Sequence, residues 1–200
     1  MMSLMYRLCA VFLFSLTYVA NAQAGVIHDE SIAGDLSDAN LAPTLLMVAE
    51  GSNIVTGSTA ATPLDRDIFS FTVGAGLELA AVILQTYNTE DDQGFFAVEA
   101  GNQISALFST AALLGNSLIG VGPGKMEGDD VLDDLGSAQF GGIGFTGALP
   151  AGTYTFWIQE TSASVPEYAL DFQVRSTTPV PLPTTLLLLL PALVLVARRR

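Results

Sequence analysis

Between Ile27 and Val174 short apolar runs alternate with glycine-rich punctuation. In DIFSFTV, Phe69, Phe71 and Val73 are separated by Ser70 and Thr72, and GAG closes the run. An apolar residue at every second position lines one face of a pleated strand, so this stretch is predicted to be a half-buried strand. AGTYTFWIQET places Tyr154, Phe156 and Ile158 on one face and Thr153, Thr155 and Trp157 on the other, which makes Trp157 the more exposed aromatic. EYALDFQV sets Tyr168, Leu170, Phe172 and Val174 against Ala169, Asp171 and Gln173. LELAAVILQTY and GFFAVEA are more continuously apolar, as suits strands that are bent or covered on both faces. ANLAPTLLMVAEGSNIVTGS offers one or two further strands, with turns at Gly51 and Gly57. Many short strands without a long helical period predict an all-β domain, an antiparallel β-sandwich of jelly-roll type. Its expected core holds Phe69, Phe71, Leu79, Ile83, Phe156, Ile158, Leu170 and Phe172.

The two ends break the pattern. Arg7 precedes an apolar stretch, Leu8 to Ala20, and Ala22 and Ala24 stand in A-x-A spacing before Gly25. A charged start, a short apolar run and small residues are the layout that signal peptidase cuts, after Ala24 or Ala22. At the other end Leu186 to Ala197 holds no polar residue, and Arg198, Arg199 and Arg200 follow. Counted from Val180 the largely apolar stretch is 18 residues, broken only by Thr184 and Thr185. That is the low end for a membrane-spanning stop, with the arginines held on the cytoplasmic side. The expected organisation is a signal peptide over 1–24, a β-sandwich domain over 25–175 and a linker over 176–185. A transmembrane segment over 186–197 and a basic cytoplasmic end over 198–200 complete it.

Charge sharpens this picture. Between Gly25 and Pro183 only Arg66, Lys125 and Arg175 stand against all 20 Asp and Glu. Seventeen negative charges in excess repel phosphate, so nucleic acid is excluded as a partner. The single cysteine, Cys9, lies in the predicted signal peptide, which leaves the exported chain without thiol catalysis or a thiolate metal site.

Val180, Pro181, Leu182 and Pro183, then the short apolar run, then three arginines, resemble the VPLPA variant of the PEP-CTERM sorting tail, with Thr184 where alanine is usual. The resemblance implies a protein exported through the inner membrane of an exopolysaccharide-producing bacterium. It implies transient anchoring by the C-terminal helix, then cutting near the proline motif by a membrane transpeptidase, an exosortase. Two prolines hold an extended backbone of the kind a protease groove grips. A second resemblance, to bacterial pre-peptidase C-terminal-like domains, rests on Asp65, Asp67, Phe69 and Phe71, then Ala151, Gly152 and Tyr154, then Tyr168 and Leu170. It implies a β-sandwich accessory module; the glycine-rich region between Ala106 and Gly147 departs from that pattern.

Candidate chemistry is sparse. His28 is the one histidine and sits near the predicted mature terminus, in a segment expected to be loose. No G-x-S-x-G elbow is present, and twenty carboxylates single out no catalytic pair, so the domain is read as non-catalytic. Asp129, Asp130, Asp133 and Asp134 crowd beside glycines in GDDVLDDLG, and Glu90, Asp91 and Asp92 in TEDDQG. Hard oxygen ligands suit weak calcium binding, most of all at the first group, though neither has EF-hand spacing. Asp65 and Asp67 are expected to shape a turn before their strand. Trp157 is the candidate glycan contact. Three functional readings follow: a matrix or envelope protein associated with exopolysaccharide, a glycan-binding accessory module of the same fold, and a secreted hydrolase, which the absence of a recognisable catalytic set disfavours.

Overall fold

The computed structural model describes residues 25–88, 93–120 and 122–178. The predicted signal peptide, the VPLP motif, the apolar run, the three arginines and Glu90, Asp91 and Asp92 lie outside those residues. Among the described residues the chain is all-β, with two short helices and none long and apolar enough to cross a membrane.

The strands are β1 (Gly25–Asp29), β2 (Thr44–Leu45), β3 (Gly51–Ser58), β4 (Ala60–Ala61), β5 (Leu64–Val73), β6 (Leu77–Asn88), β7 (Gly94–Ala100), β8 (Gly115–Ile119), β9 (Gly152–Glu160) and β10 (Glu167–Ser176). Helix α1 (Glu30–Ala33) follows β1, and α2 (Leu132–Gly136) lies between β8 and β9. One sheet runs β1-β3-β10-β6; the other runs β2-β5-β9-β7-β8, with β4 on β5. Their pairs are antiparallel except β1 on β3 and β2 on β5.

Period-two alternation explains the core directly. Phe69 and Phe71 of β5, Phe156 of β9 and Phe172 of β10 are all buried and meet between the sheets. The Phe172 ring lies 4.9 Å from Phe156, 5.6 Å from Phe69 and 5.3 Å from Phe71, edge to face in each case. Tilted contacts of this kind are the arrangement that ring quadrupoles favour.

Strand β6 corrects the expected core. Leu79 and Leu84 are buried, as is Val82, but Ile83 is only half-buried. The pairing of β10 with β6 skips Ala80 and Gln85, so β6 carries two bulges. An extra residue flips every later side chain to the opposite face. The inward positions therefore read Leu79, then Val82 and Leu84, then Tyr87, and the apparent continuous run is an alternation reset twice. On its other edge β6 is covered by the glycine-rich return of the chain. Gly128 donates to Leu84 O at 2.7 Å, and Val131 to Val82 O at 2.8 Å. That closes an edge which would otherwise offer free backbone donors.

Three further expectations change. Gly57 lies within β3 rather than in a turn. The turn before β5 falls at Thr62 and Pro63, so Asp65 and Asp67 are inside the strand. His28 is buried in β1, held by parallel pairing with β3, and its Nε2 has no hydrogen-bond partner.

Candidate functional site

Two places on the domain combine chemistry with a cavity. The first lies on the face of the β5-β9-β7 sheet turned away from the main core. Alternation sends Arg66 and Ile68 of β5, Trp157 and Gln159 of β9, and Phe95 and Ala97 of β7 to that face. Residues 101–114 fold back over part of it. Gly101 N donates to Thr153 O at 2.8 Å, Ser105 N to the Glu99 carboxylate at 3.0 Å, and Ile104 N to Asn40 O at 2.9 Å. Ile104 and Leu113 then pack with Ile68, Ala97 and Trp157 as a second apolar cluster. Trp157 is on the face predicted but is only 7% exposed, because this covering segment has no periodicity by which to foresee it.

The cover is incomplete. It leaves a cavity of about 900 Å³ walled by Trp157, Phe95, Leu107 and Phe108, with Arg66, Gln159, Ser109 and Thr110 supplying polar groups. Phe95 meets Trp157 edge to face at 4.8 Å. Phe108 is 99% exposed, with no packing role visible from the sequence. Trp157 Nε1 and Arg66 Nε are buried donors without acceptors. A concave, mainly apolar site with a few polar groups is the form that small-molecule sites take.

The second place is at the end of the core. Asp67 shares the inward face of β5 with Phe69 and Phe71 and is completely buried. Its Oδ2 accepts a hydrogen bond from Tyr168 Oη at 2.7 Å, while Oδ1 has no donor. Facing it are the carboxylates of Glu30 in α1 and Asp35 just beyond. Burial above all pushes the Asp67 carboxyl up to about 9, the Tyr168 hydrogen bond opposing and the Glu30 and Asp65 charges adding. Asp65 rises to about 6 by burial and by the charges of Asp35, Asp38 and Glu30. Glu30 is raised by burial against the backbone donors of Ser58 and Leu36. The Tyr168 hydroxyl, buried beside Asp67, is held well above its ordinary range. The signal for this site was present in the sequence: a carboxylate at position 67 has the same parity as two core phenylalanines.

The calcium candidates of the GDDVLDDLG segment are arranged differently. Asp130 Oδ1 accepts from Val82 N at 2.9 Å and Leu132 N at 3.0 Å, and Asp129 Oδ2 from Met126 N at 3.0 Å. The Asp130 carboxylate thus ties the start of α2 to β6, while that of Asp129 closes a local turn in the return segment. Asp133 is exposed and Asp134 half-buried. Converging acidic oxygens occur instead at Glu30, Asp35 and Asp67.

No family model matches the chain, and comparisons with curated proteins and with solved structures return no match.

Proposed function

We propose that this is an exported, non-catalytic protein of the cell envelope or extracellular matrix, working in contact with exopolysaccharide. Its domain is read as a jelly-roll-like β-sandwich of the pre-peptidase C-terminal-like kind. The observation that carries the sugar-contact reading is the cavity beside Trp157. Sugar rings present apolar faces edged by hydroxyls. Phe108 and Phe95 offer flat apolar walls, and the unpaired donors of Trp157 and Arg66 favour an oxygen-rich ligand. The excess of acidic groups suits a neutral glycan better than an anionic one.

Phe108 is the decisive position. It is exposed, so its replacement leaves the core intact, whereas Trp157→Ala would disturb a buried cluster. On an array of soluble and polymeric glycans the wild type should show selective binding, and Phe108→Ala should weaken it about ten-fold or more, a typical loss for an aromatic anchor. Absence of any binding, or binding indifferent to Phe108, would remove the cavity from the proposal.

Export and processing have their own test. Mass spectrometry of the protein from its native host should find it starting at Gly25 or Gln23 and ending near the VPLP motif. Replacing Pro181 and Pro183 with Ala should leave the full-length chain in the membrane fraction. A mature extracellular species that retains Leu186–Ala197 would point instead to a plain anchor.

A further inference from the structure

We propose that Glu30, Asp35 and Asp67 bind one calcium ion, which ties the segment after β1 to the buried end of β5. Each residue offers a carboxylate oxygen, and the three lie within 4.8 Å of one another. Oxygens on opposite sides of a single calcium ion stand roughly 4.6–5.2 Å apart, twice the metal–oxygen distance, so the spacing is that of one coordination sphere.

Proximity alone would not distinguish this group from any acidic patch. The buried Asp67 side chain does. Its Oδ1 sits out of water with no N–H or hydroxyl donor, and what it faces is the Glu30 carboxylate, so without a cation the two carboxyls are held together only by a shared proton. A buried acceptor left without a partner is costly, and two facing acceptors need a cation or a proton between them. The surroundings keep both groups aimed. Tyr168 Oη holds Asp67 Oδ2 at 2.7 Å, while Leu36 N and Ser58 N hold the two Glu30 oxygens at 3.2 and 2.8 Å. Each of these oxygens keeps a free lone pair.

Gly57 makes the room. A Cβ on it would lie 2.8 Å from Glu30 Cδ and 2.7 Å from Tyr168 Oη, so any side chain there would displace both. The cavity outside Asp67 is lined by Glu30 and Asp35 together with Asp29, Asp65 and Glu167, and by no lysine or arginine. Among the described residues the one ion pair, Arg175 with Glu78, joins other carboxyl chemistry entirely. An all-oxygen set without histidine or cysteine selects a hard cation. The exposed side at Asp35 leaves open positions for water, which suits the flexible shell of calcium better than the strict octahedron of magnesium. This inference is independent of the glycan reading, since it concerns a different face.

The test uses the full chain in detergent, stripped with chelator and then titrated with calcium chloride in a calorimeter and in thermal melts. One calcium per chain is expected, with a clear rise in Tm at millimolar calcium. Asp67→Asn should abolish binding, and Asp35→Asn should weaken it roughly ten-fold by removing one ligand charge. Asp133→Asn, in the other acidic segment, should bind as the wild type does. Near-ultraviolet circular dichroism establishes that each variant is folded. No heat and no Tm shift would overturn the proposal. So would equal stabilisation by magnesium or by sodium at matched ionic strength, which is charge screening, or loss of binding in Asp133→Asn with Asp35→Asn unaffected.

Discussion

Phe156→Ala should cost about 3–5 kcal/mol, or roughly 6–20 °C in Tm, the range for emptying a buried aromatic site in a domain of this size. Phe156 is the hub of the core: its ring lies 5.8 Å from Phe69, 5.1 Å from Phe71, 5.8 Å from Phe96 and 4.9 Å from Phe172. Three of those partners belong to its own sheet and one to the facing sheet, so truncation opens a void that no single neighbour can fill. Substituting the equally large but exposed Phe108 should change stability by only about 0.5 kcal/mol. Denaturant unfolding of both variants checks the contrast; equal effects would mean that the sheets do not share this core.

The second large effect is a pH dependence of unusual sign. With divalent cations chelated, the folded-state pKa of Asp67, about 9, lies above that of the unfolded chain, near 4. The folded state therefore holds a proton that the unfolded state releases. The stability this group contributes is complete below the unfolded value and is lost as pH rises towards 9, with a slope approaching about 1.4 kcal/mol per pH unit. The groups facing Asp67 are Glu30 from α1, Asp35 after it, Asp65 on its own strand and Tyr168 on β10. Asp67→Asn preserves an acceptor for Tyr168 and turns a donor towards Glu30. It should be more stable than the wild type at pH 8 and nearly equal to it at pH 4. Urea midpoints for both proteins across that range measure the difference; a pH-independent difference would contradict the assignment.

Where alternation was uninterrupted, the sequence was a good guide to the fold. Phe69, Phe71, Phe156 and Phe172 could be placed on the inner faces from their spacing, because a strand has no other way to hide them. The phase of β6 could not, since the bulges at Ala80 and Gln85 are set by pairing with β10, a partner some ninety residues away. Trp157 illustrates a different limit. Its face was legible, but its burial depends on residues 101–114, an irregular segment whose path is fixed by backbone hydrogen bonds. The acidic site was half legible. Asp67 could be placed on the core face, but nothing local brings Glu30 and Asp35 to it; the parallel seat of β1 on β3 does that.

The position of β10 has a mechanical consequence. The chain leaves the domain from this strand, which lies between β3 and β6 and is antiparallel to both. Tension applied to the chain beyond Ser176 would pull β10 along its own axis. Its hydrogen bonds run across that axis on two sides, so they would be loaded together in shear rather than opened one after another. An edge strand such as β1, gripped from one side only, would peel at a lower force.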